Sequence, residues 1–148
     1  MYRLAVTHFN NQTYNENKRW CENNQYDGCI YNLPVKIKAN VPLLSNIYVI
    51  EMNNETNKII GIGLIKNRIY HKRNKIYLDN NYNRFTYRGK KWIDRNLIDD
   101  NTLEILESRL FKGKNHLKRS QGIVEVPLDI NKSFLDYIHT LYKLVFNF

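Results

Sequence analysis

Apolar residues come in short alternating bursts along most of the chain, and only the last third carries a helical spacing. Arg3-Leu4-Ala5-Val6-Thr7 predicts a first strand. Asn10 to Asn17 is a polar segment without an apolar stripe, and it leads into Lys18-Arg19-Trp20-Cys21. The stretch from Asn23 to Asn32 holds Gly28 and reads as loop with a short helix or strand. Pro34 and Pro42 bracket Val35 to Asn40, which suits an edge strand or a lead-in to the next one.

The clearest element follows. Asn46-Ile47-Tyr48-Val49-Ile50-Glu51-Met52 is a β-branched and aromatic run, Asn53 to Asn57 is turn chemistry, and Lys58 to Ile65 is a second such run. Together they predict a hairpin with one buried face. Gly61 and Gly63 fall on the same face, as glycines do at a bulge or where another part of the molecule closes on a sheet.

Arg68-Ile69-Tyr70 and Lys75-Ile76-Tyr77-Leu78 predict further short strands. Arg84 to Asp94 reads as a strand pair, or one strand kinked at Gly89. Asn101-Thr102-Leu103-Glu104 has the form of a capping box. Leu103, Leu106 and Leu110 then make a helical stripe that Gly113 stops. Gln121 to Pro127 is a last extended piece. From Ser133 on, Phe134, Ile138, Leu141 and Val145 repeat at helical spacing. The pattern has no repeat and no linker. It predicts one α+β domain over 1–148, with a small curved or barrel-like mixed sheet and flanking helices.

Charge narrows the choice of partner. The 23 Lys and Arg against 14 Asp and Glu give a net charge of +9, and such a field gathers polyanions. Asn occurs 22 times, beside many Ile, Lys and Tyr. These residues share AT-rich codons, so codon usage accounts for part of the lysine excess. The rest is localised. Lys66, Arg68, Lys72, Arg73, Lys75, Arg84, Arg88, Lys90, Lys91 and Arg95 are opposed only by Asp79 and Asp94, with Tyr70, Tyr77, Tyr82, Phe85, Tyr87 and Trp92 interleaved. Cations that follow phosphates and rings that stack on bases are the physics of single-strand binding. A second basic patch runs from Lys112 to Arg119. The phosphate-binding candidates are therefore Arg84, Arg88, Lys90, Lys91, Lys118 and Arg119. Trp20 and Trp92 both sit in charged surroundings, and two facing rings could sandwich a base.

The order Trp20-Cys21, Asn23-Asn24, the strand Ile47 to Met52, a polar turn and Ile60-Gly61-Ile62-Gly63-Leu64-Ile65 resembles the PUA-like superfamily, closest to the YTH and EVE modified-base readers. Tyr87 to Asp94 resembles the later part of YTH domains. The likeness spans Trp20 to Arg95, about half the chain. It implies an aromatic cage with Trp20 as one wall and Trp92 or Tyr87 as the other. Cys21 would follow the cage tryptophan, and Asn23 or Asn24 would read the base edge. A third cage aromatic has no counterpart, and neither do the segments after Asp99. The chain also resembles proteins of large DNA viruses, in keeping with its composition. The function implied is a reader of nucleic acid, RNA rather than DNA, that recognises a methylated base or a modified 5′ end.

Other chemistry is less well supplied. His8, His71, His116 and His139 are scattered, and Cys21 and Cys29 lack paired ligand spacing, so no metal or other cofactor is expected. The two cysteines suit a reducing, intracellular and cytoplasmic setting, the host cytoplasm if viral. No apolar leader or membrane-length run is visible. The alternative within the same superfamily is an RNA-processing nuclease or hydrolase of the ASCH type, with Glu51 at a strand end and His116 or Lys118 from a loop. Another is an adaptor whose apolar C-terminal helix, ending in Leu144-Val145-Phe146-Asn147-Phe148, docks a protein.

Overall fold

A computed structural model describes residues 1–148. In chain order its elements are β1 (Tyr2–Phe9), α1 (Asn11–Asn23), β2 (Cys29–Leu33), β3 (Asn46–Asn53), β4 (Lys58–Lys66), β5 (Phe85–Gly89), β6 (Lys91–Asp94), α2 (Asp100–Phe111), β7 (Val124–Glu125) and α3 (Leu128–Phe146). Short 3₁₀ turns at Asn80–Asn83 and Arg95–Leu97 link the later strands. The architecture is α+β.

The central sheet has the order β6-β4-β3-β1-β7. β1 and β3 run parallel, with Thr7 opposite Glu51. The predicted hairpin forms as β3 and β4. Asn53 Oδ1 accepts from the backbone N–H groups of Glu55 and Thr56, and Asn57 takes a left-handed φ of 54°. Asparagine tolerates both demands of such a turn.

Strand alternation sends side chains to two faces. Leu4, Val6, Tyr48, Ile50, Ile62 and Ile93 point one way and pack under α2 and α3, whose stripes supply Leu103, Leu106, Leu110, Ile130, Phe134, Ile138 and Tyr142. Ala5, Ile47, Val49 and Ile65 point the other way. They are covered by a separate antiparallel pair, β2 and β5, and by Tyr14, Trp20 and Cys21 of α1. The result is three layers with two cores. The strands lie in two separate sheets and do not close, so the expected barrel-like sheet is not formed.

Both glycines of β4 mark where the second layer touches the first. A Cβ on Gly63 would lie 2.2 Å from Tyr31 Oη and 2.6 Å from Cys29 Sγ. One on Gly61 would lie 2.5 Å from the Trp92 ring. The close approach predicted for this face is β2 crossing above the sheet and Trp92 folding over it.

Several expected elements differ. The polar segment after Phe9 is α1, a helix with no buried residue and hence no apolar stripe to read. Its signal is the cap, where Asn10 Oδ1 accepts from Thr13 N and Thr13 Oγ1 accepts from Asn10 N. Val35 to Asn40, Arg68 to Tyr70 and Lys75 to Leu78 are not strands. In the last of these the backbone N–H groups of Ile76 and Tyr77 donate to Asn83 Oδ1, and that of Leu78 donates to Glu16, so side chains replace a ladder. β5 and β6 do not pair with each other. The chain leaves the upper sheet at Gly89 and joins the lower one at Lys91. The N-cap of α2 is Asp99, two residues before the expected one, and α3 starts at Leu128 rather than Ser133. No helix is long and apolar enough to cross a membrane.

Candidate nucleic-acid interface

β1 and β3 end side by side at Phe9 and Asn53, where Asn54 N donates to Phe9 O at 2.8 Å. Beyond these carboxyl ends a cavity of about 600 Å³ opens between the two layers. That size suits a small ligand or one nucleotide. Tyr31, Asn32 and Leu33 of β2 form one wall, and Tyr77 and Tyr82 another. Asn10 and Thr13 enter from the first turn of α1, and Lys118 to Gly122 close the remaining side.

Each wall is fixed by polar contacts. Asn32 Nδ2 donates to Asn74 O and Asn83 Oδ1, and its Oδ1 accepts from Thr86 Oγ1. Asn83 in turn donates to Tyr77 O at 2.7 Å. This network holds Tyr77 and Tyr82 edge to face, with centroids 6.5 Å apart. On the opposite side Asn54 Nδ2 donates to Lys118 O at 2.8 Å, and His8 Nε2 contacts Ser120 O. Asn54 Oδ1 is buried without a partner in the protein. No carboxylate lines the cavity, and none of the three ion pairs uses Lys118 or Arg119. The cavity therefore presents two free cations, the exposed Tyr82 ring and amide groups, a mixture suited to an anionic aromatic ligand.

Directly behind Tyr31 lies a sealed polar centre. Glu51 is 7% exposed, Tyr31 Oη donates to its Oε2 at 2.6 Å, and Trp92 Nε1 donates to its Oε1 at 3.0 Å. Burial pushes the Glu51 carboxyl up to about 7, and the two hydrogen bonds hold it from rising further. Burial also raises the neighbouring thiols, Cys29 to about 12 and Cys21 to about 11, so neither is an activated nucleophile. Glu51 sits in mid-sheet opposite Thr7 and Gly61, not at an open strand end. His116 Nδ1 accepts from Lys118 N and does not contact Glu51. The expected Glu51–His116 or Glu51–Lys118 arrangement is therefore not assembled. Nor does any group of three or more His, Cys, Asp or Glu side chains stand ready to hold a metal.

The sequence-predicted residues are dispersed. Trp20 lies at the end of α1 against Tyr26, at 5.8 Å between centroids. With Asn23 it lines a shallow groove toward Lys75 and Leu78 that Trp92 does not reach. Trp92 is committed to Glu51 and Gly61. Tyr87 is 2% exposed, and its hydroxyl accepts from Ile37 N. Trp20 therefore faces neither Trp92 nor Tyr87, the two alternatives for the second cage wall, and those two are themselves parted because β6 leaves the upper layer that carries β5. Cys21 is half-buried beside Asn17, and Asn24 caps the helix through Trp20 O. Of the phosphate candidates, Lys118 and Arg119 line the cavity, Arg84 lies over Phe85, and Arg88, Lys90 and Lys91 sit at the opposite end of the sheet. Nothing local in the sequence separates Tyr31, Asn32 and Asn10 from packing residues, so the pattern carries no signal for them.

The apolar stripe of α3 is spent on the core through Ile130, Phe134, Ile138 and Tyr142, leaving Leu144, Val145 and Phe148 exposed. No protein-family model, curated protein or solved structure matches this chain.

Proposed function

We propose that this domain binds nucleic acid, RNA in preference to DNA, and takes one base, methylated or at a modified 5′ end, into the cavity beyond β1 and β3. The reading rests on one observation: an acid-free cavity of nucleotide size joins the exposed ring of Tyr82, backed by the buried Tyr31 and Tyr77, to Lys118 and Arg119. Rings of this kind stack on any base, and nearby amides can read its edge. Asn10, Asn54 and Gln121 supply such amides at the rim and walls. Lys118 and Arg119 would hold the attached phosphate. The likeness of the sequence to PUA-like readers supports the same class of ligand. The base-stacking residue proposed is Tyr82 in place of Trp20 and Trp92, with Tyr31 and Tyr77 as the buried wall behind it.

Calorimetric titration with nucleoside monophosphates, methylated and unmethylated, tests the reading. Tyr82 is 43% exposed, so its removal spares the core. Tyr82→Ala is expected to weaken the preferred nucleotide by about 1–3 kcal/mol, the usual worth of one stacked ring. Lys118→Ala with Arg119→Ala is expected to abolish the preference for nucleotide over nucleoside. Unchanged affinity in both variants overturns the assignment. Cleavage of a labelled oligonucleotide by the wild type would favour the hydrolase reading instead.

A further inference from the structure

At the other end of the sheet, where β1 and β3 begin, a second concavity of about 580 Å³ is lined by Lys66, Arg68, Arg88, Lys90 and Lys91 and by no Asp or Glu side chain. None of these five cations takes part in an ion pair. Two are held by aromatic rings instead. The Arg88 guanidinium lies 3.4 Å from the centroid of Tyr70, with Tyr26 at 5.7 Å on another side. The Lys91 ammonium lies 4.3 Å from the centroid of Phe148. A cation over a ring face is positioned without being neutralised, so its donors stay available to an anion.

Sheet register explains why the charges converge. Tyr2, Asn46 and Lys66 stand in one row across β1, β3 and β4, and Leu64 stands opposite Lys91 on β6. Gly89 brings β5 down onto this end, its position close against Leu64 O leaving no room for a side chain. Lys90, the single residue between β5 and β6, is exposed there. Two sheets thus deliver basic residues to one groove, although the residues are spread over 26 positions in sequence.

We infer that this groove is a second nucleic-acid site, one that grips successive phosphates of a single strand without regard to base. The inference rests on the proposed class of ligand but not on the cavity. Tyr2 to Phe9 spans seven residue steps of about 3.3 Å, roughly 23 Å, so a mononucleotide in the cavity cannot touch the groove. A single strand is favoured because the groove is concave and rings share its lining with the cations, which gives bases a surface as well as phosphates a partner.

The test is fluorescence anisotropy of a labelled, unmodified oligouridylate 12-mer over a salt series, beside calorimetry with UMP on the same proteins. Arg68 and Lys90 are exposed and neither side chain takes part in an ion pair, so Arg68→Glu with Lys90→Glu should fold, as circular dichroism would verify; Arg68→Gln with Lys90→Gln is the milder pair. The wild type is expected to bind with a log–log salt slope of about −3, given roughly −0.7 per phosphate contact on single strands. The Glu pair should lose at least tenfold in affinity, the Gln pair should flatten the slope by about 1.4, and UMP binding should be unchanged in both. Unchanged oligouridylate binding and slope in these variants overturns the inference. So does an equal loss of UMP, which would make groove and cavity one site, or a wild type that binds anionic vesicles or heparin but not the oligonucleotide. Loss of UMP binding in Tyr82→Ala alone bears on the cavity and leaves the groove standing.

Discussion

Trp92 and Glu51 meet across β4, indole N–H to carboxylate at 3.0 Å, over the bare backbone of Gly61. The contact ties the edge strand β6 to the centre of the sheet and turns a tryptophan of the basic belt inward. It also leaves a carboxyl group in a nearly anhydrous place, and that has a consequence for stability.

Glu51 is held at about 7 in the folded protein, against 4.5 for an ordinary glutamate. Between those values the native state binds more protons than the unfolded state, so stability falls as pH rises. The favourable contribution is complete below about 4.5 and lost above about 7. Glu51→Gln keeps the shape and removes the ionisation. Chemical denaturation should show the variant gaining about 2–3 kcal/mol on the wild type between pH 5 and pH 8, at about 1.4 kcal/mol per unit of displacement. A constant difference across that range would refute the buried ionisation.

Gly63 lies under Tyr31 Oη and Cys29 Sγ, with no space for a methyl group. Gly63→Ala should force β2 away from β4 and cost about 1–3 kcal/mol, the range for overpacking a core. Urea unfolding with an unchanged m-value would read it. Because Tyr31 also walls the cavity, nucleotide affinity should fall in the same variant.

Trp20 covers part of α1 and Tyr26 but reaches neither the cavity nor Trp92. Trp20→Ala should leave nucleotide affinity within twofold of the wild type in calorimetry. A loss of tenfold or more would return the base site to the position that the cage resemblance implies.

Asn83 accepts from two backbone amides and donates to Tyr77 O. Asn83→Ala leaves those groups unpaired, at about 1–3 kcal/mol for each buried one. Hydrogen exchange should show faster exchange at Ile76 and Tyr77 than at the β3 and β4 amides. The tyrosine wall would loosen, so nucleotide binding should weaken along with it.

The sequence by itself determined the elements whose own periodicity announces them: β1, the β3–β4 hairpin with its glycine face, and the stripes of α2 and α3. Their apolar residues recur at the spacing that one buried face requires, so the pattern is local. It also located the excess of cations. Tertiary structure alone decided the rest. The polar helix α1 and the segment from Asn74 to Asn83 are held by caps and side-chain amides, which leave no apolar period. The split of Arg84 to Asp94 between two sheets depends on which edges are free once β2 and β4 are placed. That split separates Tyr87 from Trp92 and sends Trp92 to Glu51. It also gathers Lys66, Arg68, Arg88, Lys90 and Lys91 into a groove, while the cavity takes Tyr31, Tyr77, Tyr82, Lys118 and Arg119 from three distant stretches of chain. Charge and aromatic content are properties of a sequence; which rings face which cations is settled by strand pairing, and strand pairing is not local.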